Sequence, residues 1–93
     1  MKDSLINSLS AIIESLQKTG KQETANFFIT AKEGVSSECN GNIDALMEIL
    51  SRLETSGAMT QYANFTAHEE ELWGNVYEAA KRWKSHLVES SAG

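Results

Sequence analysis

The chain has 93 residues, enough for one hydrophobic core and too few for two. Eight Lys and Arg against thirteen Asp and Glu give a formal charge of -5, which argues against a phosphate-neutralising nucleic-acid binder and favours a basic partner. No apolar run approaches the roughly 20 residues needed to cross a bilayer, and the single cysteine, Cys39, cannot crosslink its own chain. The start Met1-Lys2-Asp3-Ser4 lacks the apolar stretch of a signal peptide. The expectation is a single cytoplasmic domain over 1–93, and the absence of proline favours helices throughout.

Leu5, Ile6, Leu9, Ile12, Ile13 and Leu16 recur at the spacing of one helix face and predict a first helix over 4–19. Asp3 or Ser4 can cap its start, Glu14 and Lys18 form an i,i+4 pair, and Gly20 is a C-terminal stop. Ala25, Phe28 and Ile29 predict a shorter second helix over 21–33, with Phe27 displaced to the neighbouring face and Gly34 as its end. The polar stretch that follows contains Asn40-Gly41, a tight-turn signal. A hairpin is excluded there because Ile43, Leu46, Met47, Leu50 and Leu53 resume helical spacing, giving a third helix over 43–55 capped by Asn42.

Between Ser56 and Phe65 the pattern lapses while Met59, Tyr62 and Phe65 supply three bulky groups, so this loop is expected to fold back over the end of a bundle. Thr66-Ala67-His68-Glu69 matches the capping box, with Phe65 at the hydrophobic-staple position. Leu72, Trp73, Val76, Tyr77, Ala80, Trp83 and Leu87 then predict a fourth helix over 66–88, followed by a disordered tail at 90–93. Gly74 inside that helix costs about 1 kcal/mol relative to alanine and suggests close approach of a neighbouring helix. A helix of this length, about 33 Å, exceeds the expected diameter of the chain, so its last turn is expected to project and carry Trp83 outward. The fold class is all-α, a compact bundle of about four helices.

The chemical inventory is thin. There is no phosphate-binding glycine loop, HExxH, CxxC or GxSxG, so no enzyme activity and no cofactor are expected. His68 and His86 lie about 27 Å apart along one helix, too far to share a metal, and no metal site is expected. Glu69, Glu70 and Glu71 either match the helix dipole or form an acidic patch for a cationic surface. Trp73 and Trp83 are related by a net rotation of about 80°, which places Trp83 at the core edge or in an interface.

Gly57-Ala58-Met59-Thr60 followed by Leu72-Trp73-Gly74-Asn75-Val76-Tyr77-Glu78-Ala79-Ala80 resembles an uncharacterised family of small bacterial helical proteins. In that family a Gly-Gly-Met-Gly-Ser-like loop precedes a helix carrying Asn, Val/Ala-Tyr and Ala. Ala58 and Thr60 stand where two loop glycines are found in the family. The resemblance, over about a third of the chain, implies a class like the acidic immunity proteins that sit beside bacterial toxins. The combined expectation is a non-enzymatic protein-binding module, most concretely an immunity or antitoxin-like inhibitor of a basic toxin. Its partner-binding residues would be Met59, Tyr62, Phe65, Glu69, Glu70, Glu71 and Trp83. The alternative is a homodimer paired through the overlong fourth helix.

Overall fold

The computed structural model describes residues 2–37, 41–56 and 64–92. The described residues form four helices and no strand: α1 (Lys2–Lys18), α2 (Gln22–Ser36), α3 (Ile43–Glu54) and α4 (Ala67–Ala92). The all-α bundle is as expected, and α1 buries the Leu5, Leu9, Ile12, Ile13 and Leu16 stripe that its spacing predicts. Each such aliphatic side chain, fully withdrawn from water, is worth about 1.5–3 kcal/mol, so this face is a principal source of cohesion.

α1 ends as its sequence dictates. Gly20 adopts a φ of 76°, the Lys21 N–H donates to the Leu16 carbonyl at 2.8 Å, and the Gly20 N–H donates to that of Gln17 at 3.2 Å. This pattern satisfies two carbonyls that the helix leaves unpaired and turns the chain sharply. α2 therefore packs back along α1. The chain then continues around a ring in which α3 packs on α2 and α4, and α4 closes against α1. Directions alternate. Thr19 and Lys21, where α1 ends and α2 begins, meet Glu69 in the first turn of α4. At the opposite end, Ile43 at the start of α3 borders one cleft with Leu87 late in α4.

Several boundaries differ from the expectation. α2 passes through Gly34 and ends three residues beyond the predicted position, at Ser36, because Val35 is completely buried. The hydrophobic gain of seating Val35 exceeds the roughly 1 kcal/mol cost of an interior glycine. α3 begins at Ile43 with the expected cap, the Asn42 side-chain carbonyl accepting from the Ala45 N–H at 3.2 Å. Gly41 has a φ of 85°, which accounts for glycine at that turn. α4 runs to Ala92, through the segment 90–92 expected to be a disordered tail. At 26 residues it is about 39 Å long against about 18 Å for the 12 residues of α3, and the molecule is elongated, 43 × 21 × 20 Å.

Candidate functional site

The candidate surface is the end of the bundle where α1 stops, α2 starts, α3 stops and α4 starts. Its centre is Glu69. The capping box forms as the sequence predicts: the Glu69 N–H donates to the Thr66 hydroxyl at 3.1 Å, and the Thr66 N–H donates to the Glu69 carboxylate at 2.9 Å. The same carboxylate also accepts from the Thr19 hydroxyl at 2.8 Å and pairs with the Lys21 ammonium at 2.7 Å. Glu69 is completely buried. Burial by itself would raise its pKa. The hydrogen bonds from Lys21, Thr66 and Thr19 and the charge of Lys21 outweigh that, and the carboxyl is held below the ordinary glutamate value.

This arrangement corrects the expectation for Glu69. It is not part of an exposed acidic patch but a clasp between the α1–α2 turn and α4, and Lys21 neutralises it. Glu70 and Glu71 are exposed beside it, as expected of surface carboxylates. Phe65, expected as a partner anchor, lies in the hydrophobic core at 9% exposure. Trp83 is only 6% exposed and belongs to the same core, so of its two expected placements the core one holds, and its expected projection and role as a partner anchor do not. It also lies about 20 Å along α4 from Glu70, so the two share no surface. Met59 and Tyr62 lie outside the described residues.

The orientation of α4 explains the Trp83 result. Its buried line runs through Glu69, Val76, Ala80 and Trp83, while Trp73 is displaced to the edge. There the Trp73 indole N–H donates to the Ser56 hydroxyl at 2.8 Å, and that hydroxyl donates to the Leu53 carbonyl at 2.7 Å. Trp73 stacks on Tyr77, with ring centroids 5.4 Å apart, and the Lys81 ammonium lies 5.8 Å from the Tyr77 ring. The close helix approach expected at Gly74 is not seen among the described residues. A Cβ built there meets no heavy atom within 4 Å among the described residues.

The charges at this end do not balance. Lys18 pairs with Glu14 at 3.1 Å, Lys21 with Glu69, and Arg52, in the last turn of α3, with Glu48 at 2.6 Å. Each of these three cations is matched by a carboxylate. Glu23, Glu70 and Glu71 remain exposed, and none has a cationic partner among the described residues. Lys81 and Arg82 are more than two turns away along α4, and Lys84 is engaged by Glu54 at 2.9 Å.

Beside this acidic end runs a groove of about 390 Å³ between α2 and α3. Phe27, Ala31 and Ile49 line it, with Glu23, Thr30 and Arg52 along its edges. Sequence reasoning placed Phe27 off the core stripe of α2 but did not connect it to Ile49, because only the packing of α2 on α3 brings the two together. Among the described residues no cluster of three or more His, Cys, Asp or Glu could hold a metal, and His68 and His86 are both exposed.

The described residues form an up-and-down four-helix bundle, with Glu23, Glu70 and Glu71 exposed at the end that holds Glu69. Comparison with protein-family models, curated protein sequences and solved structures finds no match. No described helix is long and apolar enough to cross a membrane.

Proposed function

We propose that this chain is a non-enzymatic protein-binding module whose acidic end engages a basic partner. The observation that carries the reading is the charge imbalance there: Lys18, Lys21 and Arg52 are each paired, while Glu23, Glu70 and Glu71 are exposed with no cationic partner among the described residues. Fixed surface charge of one sign speeds encounter with an oppositely charged surface and rejects like-charged ones. The most concrete form of the proposal is an immunity or antitoxin-like inhibitor of a basic toxin. The net charge of -5 and the resemblance at 57–60 and 72–80 support that form.

The test is affinity capture from the cells that express the protein, at low and moderate salt, with the wild-type chain and a Glu70→Lys/Glu71→Lys variant. The expected result is a basic protein retained by the wild type, released as salt rises and lost in the variant. Retention of no protein, or equal retention by both chains, overturns the proposal.

A second reading, two copies paired at the opposite end, is favoured by Ile43 and Val88, which are 48% and 50% exposed. Trp83 cannot be the anchor of such a pair because it is buried. Sedimentation of the wild type against Val88→Glu decides the matter, since a concentration-independent monomer in the wild type removes it.

A further inference from the structure

The groove between α2 and α3 has the chemistry of a seat for a peptide segment. α2 and α3 are the least intimately packed neighbours in the ring, and Phe27 and Ile49 are only partly buried, one side on the core and the other facing the groove. Apolar surface of this kind gains from being covered. The charges on the groove's edges decide what covers it. Arg52 is held by Glu48 at 2.6 Å, which leaves Glu23 as the groove-edge charge with no ion-pair partner among the described residues. Glu23 lies four residues before Phe27 on the same face of α2, about 6 Å along the helix.

We infer that the α2–α3 groove binds a helical segment of a partner protein, with an apolar side chain between Phe27 and Ile49 and a Lys or Arg one turn away beside Glu23. This rests on the protein-binding reading and specifies the partner's chemistry. An apolar anchor set in a groove and flanked by a charge is a recurrent mode of helix recognition. A segment with a carboxylate at that position would meet Glu23, and Glu70 and Glu71 at the same end of the bundle, as like charges.

The experiment uses the full chain, isotopically labelled, and two synthetic helical peptides of about 15 residues, long enough for measurable helicity. One carries Leu with Lys at i,i+4 in an alanine background; the other replaces each Lys with Glu. Backbone amide shifts are followed during titration. The expected result is saturable shifts at Phe27, Thr30 and Ile49 with the Lys peptide, which binds at least about tenfold more tightly than the Glu peptide, a factor that corresponds to one modest charge preference. Thr30→Trp, at an exposed position on the groove edge, fills the groove and weakens the Lys peptide by about tenfold or more, with an unchanged helical circular-dichroism spectrum. Glu23→Lys reverses the order of the two peptides.

Shifts confined to residues around Glu70 and Glu71, no shift at all, or equal affinity in Thr30→Trp each overturn the groove. The acidic-end proposal fails separately. If Glu70→Lys/Glu71→Lys captures the same protein as the wild type while the Lys peptide still shifts Phe27 and Ile49, the groove stands without it.

Discussion

The Lys21 ammonium and the Glu69 carboxylate, 48 residues apart in sequence, meet at 2.7 Å and fasten the start of α2 to the start of α4. Glu69 is completely buried, whereas the Lys21 side chain retains 19% of its exposure. Loss of the carboxylate therefore leaves a lysine that can partly rehydrate and a Thr66 N–H deprived of its acceptor, while the Thr19 hydroxyl falls back on the Ser15 and Leu16 carbonyls. Glu69→Ala is expected to destabilise the fold by about 3 kcal/mol, at the lower end of the range for breaking a buried pair. Urea unfolding followed by circular dichroism measures it, and a loss under 1 kcal/mol contradicts the clasp.

The same carboxylate sets a pH dependence. Its folded-state pKa lies below the ordinary glutamate value, so the unfolded chain takes up the proton first as pH falls. The contribution is present in full above the unfolded-state pKa, about 4.3, and is lost as pH drops through the lower folded-state value. Urea midpoints measured from pH 7 to pH 3 should fall less steeply in Glu69→Gln than in the wild type. Parallel curves contradict the assignment.

Gly74 yields a prediction of the opposite sign. It is helical, and a Cβ placed there meets nothing within 4 Å among the described residues. Gly74→Ala should stabilise the chain by about 0.5–1 kcal/mol through helix propensity and a less flexible unfolded chain. A rise in the urea midpoint at constant slope confirms it.

Trp83 and Ser56 test the core. Truncation of a buried aromatic costs about 3–5 kcal/mol, so Trp83→Ala should lower the thermal midpoint sharply. Ser56→Ala removes the acceptor of the Trp73 indole N–H and should cost about 1–2 kcal/mol. Trp73 emission should shift with it. An unchanged spectrum contradicts the hydrogen bond.

Local patterns are legible in the sequence alone. The α1 stripe, the glycine stop at Gly20, the Asn42 cap and the Thr66–Glu69 capping box each depend on residues within a few positions of one another, and each is formed. What could not be read was set by distant packing. Gly34 looked like an end because nothing local reveals that Val35 must be buried. Glu69 looked like surface because Lys21 reaches it from another helix. The angle between Trp73 and Trp83 leaves the latter open between core edge and interface, and only the packing of α4 decides for the core. Trp83 lies on the buried line of α4 and Trp73 at its edge.

The ring order of the helices bears on how the chain assembles. α1 divides its buried face between α2, its immediate neighbour, and α4, the last helix in the chain. During synthesis the stripe from Leu5 to Leu16 can find only half of its cover until the final third of the chain emerges. The α1–α2 hairpin is local and quick to form, whereas closure of α4 on α1 joins the most distant segments and carries the larger loop entropy. The N-terminal helices are thus held open to solvent, and to other apolar surfaces, until the last helix arrives.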